Sequence, residues 1–200
     1  SFAYCQLNVY KTYDDYLAHV AKSYGEVEFK KAKGDENTVL VFGAKGKDDV
    51  EVECAKIWGF GYKDVLFRVS KDSKYFVKNG AKVNAPMVVM FLDDVVYYED
   101  GIGVLEAMKA ERNQVLLKGM CAAMSKDLNG DMAIVPCYPA RWIDEQILLL
   151  VNSHPELKDL AGDLQALKNT QSGLSAGSFD YGQMRTYIKE FIENKKKKGN

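Results

Sequence analysis

The chain contains few of the residues on which metal sites and acid-base catalysis usually depend. It has two histidines, His19 and His154, and four cysteines, none of which form a Cys-x-x-Cys pair. Two isolated histidines argue against a multi-histidine metal site, and the cysteine spacing argues against a zinc ribbon or a thioredoxin-type site. The sequence therefore predicts no metal, no cofactor and no catalytic residue.

The chain also lacks a surplus of charge and a long apolar run. Its 27 basic and 28 acidic residues give a formal net charge of -1, which creates no bias toward nucleic acid or an anionic membrane. The longest apolar run, residues 87–92, is far shorter than the roughly 18 residues of a transmembrane helix. We therefore expect no nucleic-acid partner and no membrane-spanning segment. The one block of like charge, residues 195–198, predicts a frayed basic tail.

Residues 56–77, KIWGFGYKDVLFRVSKDSKYFV, predict two strands joined by a tight return. From Val65 to Val69 apolar residues recur at every second position, as in a strand with two different faces. Gly59 and Gly61 stand among aromatic residues and would let a strand bend or bulge. Trp58 belongs to the same apolar segment, so we expect it to be largely buried.

A meander of strands is predicted to follow a short first helix. Thr12 with Asp15 three residues later is typical of a helix N-cap, and the helix should run to about Val20. One face of this helix, which we expect to pack in the core, carries Tyr13, Tyr16, Leu17 and Val20. Alternating or continuously apolar segments separated by turn residues then predict strands. These strands are expected at residues 27–31, 37–43, 50–59, 64–70, 74–78, 85–92, 95–99, 104–108, 115–124 and 132–137.

Helical periodicity replaces the strand pattern from Pro139 onward. Helices are predicted at residues 139–151, at 155–167 with Ser153 as its cap, and at 181–196, where apolar residues form a stripe that docks on the sheet. The predicted fold class is α+β: a curled or partly closed antiparallel sheet, resembling a meander or barrel, followed by helices packed on it. We expect a β-rich body over residues 1–138 and a helical segment over residues 139–200, as one compact unit.

A hairpin is predicted around Asp127-Leu-Asn-Gly130, and its register decides whether two cysteines meet. In a three-residue loop with Gly130 left-handed, Met124 opposes Ile134 and Cys121 opposes Cys137 on one face. A two-residue Asn-Gly turn shifts the register by one and separates the two cysteines. We favour the first register, in which a disulfide could form between these strands. The state of all four cysteines, Cys5, Cys54, Cys121 and Cys137, stays open.

Two short motifs resemble a calcium-binding loop and a phosphate-binding loop, but each lacks a residue or a spacing that such a loop requires. Asp127-x-Asn129-x-Asp131 has the spacing of a calcium loop, yet Met132 stands where that loop needs glycine. Residues 43–47, GAKGK, lack the spacing of a phosphate-binding loop and sit between strands. Both segments are therefore interpreted as turns.

The remaining candidates for catalysis are also better explained by structure. The carboxylate pairs at residues 14–15, 48–49 and 93–94 are adjacent in sequence, so their side chains diverge and do not form an acid-base pair across a cleft. A dyad of Cys137 and His154 has no residue placed to orient it. His154 is expected at a helix start and His19 late in the first helix, where a charged ring would suit the helix dipole.

Short motifs in a fixed order give the chain a resemblance to a known group. TYDDYL, KIWGFGYKDVLFRV with KYFV, MSKDLNGDMAIVP, HPELKDL and YIKEFIEN follow one another along most of the sequence. In these the chain resembles uncharacterised exported proteins of Bacteroidetes, a family of unknown function. The resemblance implies an export signal that has been removed, in keeping with a chain that begins at Ser1, and a periplasmic or extracellular location. It implies no activity and no functional residues.

Two functions remain as hypotheses. The first, which we favour, is an exported, non-enzymatic module that binds an unidentified protein or glycan, or serves a structural role, through its sheet or helices. The alternative is a hydrolase with an Asp or Glu carboxylate site. A hydrolase should show acids that converge on a concave pocket. A binding module should show a shallow aromatic or apolar patch.

Overall fold

The computed structural model describes residues 5–34, 38–78, 81–110, 121–136, 148–171 and 181–198. The chain divides into two compact units, each assembled from two stretches of sequence. The first comprises Ser1–Val89 and Asp100–Leu117, and the second comprises Met90–Glu99 and Lys118–Asn200. The C-terminal helices thus share a unit with strands. The expected boundary between Tyr138 and Pro139 lies outside the described residues.

The first unit is an antiparallel sheet with two helices. Its strands follow the order β7-β6-β5-β1-β2-β3-β4, and every described pair is antiparallel. The elements are β1 Cys5–Tyr10, α1 Tyr13–Leu17, β2 Lys22–Lys33, β3 Val39–Ala44, β4 Val50–Glu53, β5 Gly59–Tyr62, β6 Val65–Lys78, β7 Ala81–Leu92, whose end belongs to the second unit, and α2 Gly101–Lys109.

Ring contacts show that this sheet is curled. Phe42 on β3 lies 6.2 Å from Phe60 and 5.3 Å from Tyr62 on β5, measured between ring centroids. In a flat sheet these strands would be about 14 Å apart, three spacings of about 4.8 Å. The Phe29 amide also donates a hydrogen bond of 3.1 Å to the Tyr62 hydroxyl. The predicted curled antiparallel sheet is confirmed.

The segment from Val50 to Val65 contains one confirmed and one wrong prediction. Lys63 and Asp64 have φ angles of 51° and 59°, the left-handed pair of a tight hairpin, so the predicted return between two strands is confirmed. The single strand over residues 50–59 is wrong, because β4 ends at Glu53 and a 3-10 turn, Cys54–Lys56, follows. Cys54, within this turn, and Ile57, directly after it, are both buried. Burial raises the pKa of the free Cys54 thiol to about 12.

The strand predicted at residues 104–108 is wrong, because this segment forms the helix α2. The side chain of Asp100 accepts a 3.0 Å hydrogen bond from the Ile102 amide and caps the helix. Val104 and Leu105 are buried. The sequence LEAMK that follows is rich in strong helix formers, which was the available signal.

The first helix is capped as predicted but is shorter than expected. The Thr12 side chain accepts from the Asp15 amide at 3.1 Å, and the Asp15 carboxylate accepts from the Thr12 amide at 3.0 Å. The helix ends at Leu17, and His19 adopts a left-handed φ of 55° just after it. Leu17 and Val20 are 56% and 63% exposed, so their expected place in the core is wrong.

The second unit packs helices on three antiparallel strands. Its strand order is β8-β9-β10, and its core joins Val95, Tyr97, Ala122, Met124 and Ala133 to apolar residues of all the described C-terminal helices. The predicted docking of the helices on the sheet is therefore confirmed. The elements are β8 Val96–Asp100, β9 Cys121–Ser125, β10 Ala133–Pro136, α3 Leu149–Ser153, a 3-10 turn Pro155–Leu157, α4 Lys158–Gln171 and α5 Tyr181–Lys198.

Predictions at the ends of these helices have mixed outcomes. The first part of the helix expected at residues 139–151 lies outside the described residues. Ser153 does not cap the next helix, because its hydroxyl donates to the Leu150 carbonyl at 2.8 Å. Helix α5 continues to Lys198, so a frayed tail after it at residues 195–198 is wrong. Lys196 and Lys195 form ion pairs with Asp93 at 2.6 Å and Asp94 at 3.1 Å.

The hairpin between β9 and β10 adopts neither of the two predicted registers. Met124 pairs with Ala133 and Cys121 with Pro136, so Cys121 does not oppose Cys137, which lies outside the described residues. The reason is that the turn is centred on Leu128 and Asn129, where the Gly130 amide donates to the Asp127 carbonyl at 3.3 Å. The Asp127 side chain accepts from the amides of Asn129 at 2.8 Å and Gly130 at 2.7 Å, and Gly130 is not left-handed.

Candidate functional site

A groove of about 370 Å³ lies on the first unit, over the face of β1 that is turned away from the core. Strand β1 alternates strictly: Leu7 and Val9 are buried, whereas Gln6, Asn8 and Tyr10 line the groove. Our sequence reasoning missed this strand. The alternation of polar and apolar residues in QLNVY was the signal that could have revealed it.

The floor of the groove is the bare backbone of Gly61 on β5. Gly61 is the direct partner of Asn8 in the β1–β5 register. A Cβ added at Gly61 would meet no atom within 4 Å, and the residue is not left-handed. Gly59 differs, because its Cβ would lie 2.3 Å from the Phe67 carbonyl oxygen. Packing therefore requires glycine at position 59 but not at position 61. Because Gly61 has no side chain, the groove is open above it.

An aromatic cluster, Tyr10, Tyr13, Tyr16 and Trp58, forms one end of the site. Tyr16 lines the groove, meets Tyr10 edge-on at 5.3 Å and stacks on Trp58 at 4.9 Å. Tyr13 lies 5.3 Å from Trp58. Burial, followed by the neighbouring hydroxyls of Tyr10 and Tyr13, raises the pKa of Tyr16. The capped helix α1 thus holds Tyr16 in place.

Most of the Trp58 side chain is covered, so the prediction that it is largely buried is confirmed, although the residue does not belong to the fully buried core. One side of its ring is covered by Tyr16 and Tyr13 of the short helix α1. Its Nε1 atom is shielded from solvent and has no hydrogen-bond partner in the described part of the chain. Trp58 therefore supports the aromatic end of the groove.

Polar side chains complete the lining of the groove, and their charges sum to about zero. The Gln6 amide nitrogen donates to the Ser23 hydroxyl at 3.0 Å, which leaves the Gln6 oxygen available. The Asn8 side chain makes no hydrogen bond to any described residue. The hairpin turn contributes one cation, Lys63, and one anion, Asp64. Lys63 donates to the Met108 carbonyl at 3.4 Å.

The carboxylate pairs proposed for a hydrolase do not converge here. Asp15 caps α1, Asp49 pairs with Lys30 at 2.6 Å, and the pair at residues 93–94 binds lysines of α5. Among the described lining residues of the groove, Asp64 is the one carboxylate. The predicted position of His154 at a helix start is confirmed. The predicted position of His19 within the first helix is wrong, because α1 ends at Leu17.

The motifs rejected as metal or phosphate sites are turns in the structure. Residues 127–130 form the side-chain-capped turn described above, and Gly46 turns the chain after β3 with a φ of 69°. Within the described ranges no group of three or more His, Cys, Asp and Glu residues could hold a metal ion. In the same ranges no helix is both long enough and apolar enough to cross a membrane.

The second unit contains a buried acid that sequence reasoning also missed. Glu99 is 0% exposed and accepts a 2.8 Å hydrogen bond from the Tyr97 hydroxyl. Arg185 of α5 donates to both of its carboxylate oxygens, and this contact raises the pKa of Arg185. A buried carboxylate whose oxygens are both engaged by a guanidinium is typical of a structural ion pair.

Comparison with known proteins finds no matching family model, no matching curated protein and no matching solved structure. The functional argument therefore rests on the geometry of the groove and on the chemistry of its lining.

Proposed function

We propose that the protein is an exported, non-enzymatic binding module and that its ligand occupies the groove between β1, β5 and α1. The observation that carries the proposal is Gly61. A glycine inside a strand weakens it, and the space around this one is empty. A ligand that approaches the backbone closely accounts for a residue that packing does not require.

The lining of the groove supports binding rather than hydrolysis. Tyr10 and Tyr16 offer rings, and Gln6 and Asn8 offer amides. Among the described residues that line the groove, Asp64 is the one carboxylate. Hydrolysis by paired carboxylates needs a second acid across the cleft. The volume of about 370 Å³ lies within the range of small-ligand sites.

Export and a periplasmic or extracellular location are part of the same proposal. They are supported by the sequence resemblance alone and do not enter the argument about the groove.

The test is retention of the full chain on printed arrays of glycans and of peptides, compared with Gly61→Val. We expect wild-type retention that Gly61→Val abolishes. Gly162→Ala is the matched control, because Gly162 in α4 also has open space around its Cβ and lies in the other unit. Retention that is equal in Gly61→Val, or absent for both, contradicts the proposal. Release of new reducing ends or amines, abolished by Asp64→Asn, would instead support the hydrolase.

A further inference from the structure

The geometry points to a neutral carbohydrate chain as the ligand of this groove, with Gly61 as the position that determines access. This inference rests on the proposed function and adds the chemical class of the ligand. A sugar ring has one face of C–H groups and a rim of hydroxyls, and the groove presents a matching partner for each.

The aromatic end of the groove suits the C–H face of a sugar. The face of an aromatic ring carries partial negative charge and attracts weakly positive C–H groups. Tyr10 and Tyr16 meet edge-on at 5.3 Å, so their faces point in different directions within one groove. Trp58 stacks behind Tyr16 at 4.9 Å, which fixes the orientation of that ring before any ligand binds.

The amides suit the hydroxyl rim. Each amide side chain is both a donor and an acceptor, as is each sugar hydroxyl, so one amide can bind two hydroxyls. The Asn8 amide is unengaged by described residues and stands beside the bare backbone of Gly61. A ring can therefore approach the sheet closely at Gly61 while its hydroxyls reach Asn8.

The charge of the lining favours a neutral ligand. Lys63 and Asp64 are neighbours of opposite sign at one end of the groove, so the lining provides no net field for an anion. An acidic polysaccharide would need a surplus of basic residues. Binding of the proposed ligand should consequently depend little on ionic strength.

The sheet itself argues against a peptide ligand. An extended peptide usually gains affinity by adding a strand to a sheet edge, where main-chain groups are unpaired. Strand β1 pairs with β2 and β5, and β5 pairs with β1 and β6. The groove thus lies over interior strands, whose main-chain groups are already used, and offers side chains instead.

The test is isothermal titration calorimetry of the full chain with neutral hexasaccharides, namely cellohexaose, xylohexaose, laminarihexaose and mannohexaose. A hexagalacturonate provides the acidic arm and an alternating Ala-Ser hexapeptide provides the peptide arm. We expect binding of at least one neutral hexasaccharide, little changed by salt. Gly61→Val, Tyr10→Ala and Asn8→Ala should each weaken it by about tenfold or more, as expected for residues at the centre of an interface.

Matched variants separate stacking and hydrogen bonding from general damage. Tyr10→Phe keeps the ring and should keep most of the affinity, and Asn152→Ala removes an exposed amide of the other unit and should change nothing. The outcomes distinguish the two proposals. Binding of only the acidic hexasaccharide or only the peptide, lost in Gly61→Val, overturns the proposal of a neutral carbohydrate but keeps the binding module. If none of the neutral, acidic or peptide probes shows binding that Gly61→Val abolishes, both proposals are overturned.

Discussion

Asn8 on β1 and Gly61 on β5 are direct partners in an antiparallel register, with an amide on one strand and no side chain on the other. The pairing leaves an open space beside a polar group on an otherwise well-packed sheet. Because Gly59, two residues earlier on the same strand, is required by close contact with Phe67, the two glycines make a natural comparison.

Gly61→Val should fold at least as well as the wild type. The residue is not left-handed and an added side chain meets no atom, while valine suits a strand better than glycine. We expect the free energy of unfolding to rise by roughly 0.5–1 kcal/mol. Gly59→Val, by contrast, should lower it by about 1–3 kcal/mol or more through overpacking. Urea unfolding of both variants checks this, and a destabilised Gly61→Val would remove the case for an open floor.

Trp58→Ala should destabilise the protein less than the loss of a core tryptophan. A fully buried tryptophan costs about 3–5 kcal/mol on truncation, and because part of the Trp58 side chain stays exposed we expect roughly 2 kcal/mol. Trp58→Phe should recover much of this by keeping a ring against Tyr16 and Tyr13. Equilibrium unfolding in urea measures both changes. A loss as large as that of a core residue would contradict the partial exposure.

The buried pair of Glu99 and Arg185 should be important for stability. Arg185→Met leaves a carboxylate that is 0% exposed with Tyr97 as its remaining described partner. We expect a loss of about 3–5 kcal/mol, of which a double variant with Glu99→Gln recovers part. Lys189→Met is the control, because Lys189 pairs with Glu193 on the surface at 3.9 Å and should matter by less than about 1 kcal/mol. Equal losses for both single variants would count against the buried pair.

The buried carboxyl group of Asp100 should make the protein less stable as pH rises from acid to neutral. Burial raises the pKa of its carboxyl above the ordinary value, although the amides of Ile102 and Gly103 act in the opposite direction. A raised folded pKa stabilises the fold below the unfolded value, about 3.9, and this contribution is lost as pH rises through the folded pKa. Asp100→Asn keeps a capping side chain and removes the cost of a buried charge. Relative to wild type, it should gain stability as pH increases from acid to neutral.

Thermal unfolding across that pH range, with Asp100→Ala as the variant that loses the cap, provides the measurement. The alanine variant should be less stable than the asparagine variant at every pH, because the Ile102 amide loses its partner. An Asp100→Asn variant that loses stability relative to the wild type as pH rises would contradict the assigned direction.

Local patterns in the sequence predicted the elements that depend on one face being buried. In the helix predicted at residues 155–167, Leu157, Leu160 and Leu164 are buried. In the strand predicted at residues 64–70, Phe67 and Val69 are buried, whereas Val65 of the same alternation is partly exposed. Sequence motifs that are compatible with two local structures did not predict the correct one. Asp100-Gly101 reads equally as a turn or as a helix cap, and only the packing of Val104 and Leu105 decides between them.

The candidate site could not be predicted, because it depends on pairings between distant segments. Nothing near Gly61 in the sequence indicates that Asn8 lies opposite, and nothing near Glu99 indicates Arg185, 86 residues away. The hairpin at Asp127 shows the same limit at short range. Its register follows from how the Asp127 side chain binds two amides, which turn statistics alone do not specify.

The most direct test of the central claim is to map backbone amide NMR shifts as a neutral hexasaccharide is added to the full chain. The probe is the one of the four that gives the largest calorimetric signal. We expect the largest shift changes at Gln6, Asn8, Gly61 and Lys63, the residues that line the groove, and none of comparable size in Gly61→Val. Shift changes concentrated elsewhere, or none with any of the four sugars, would contradict the proposed groove.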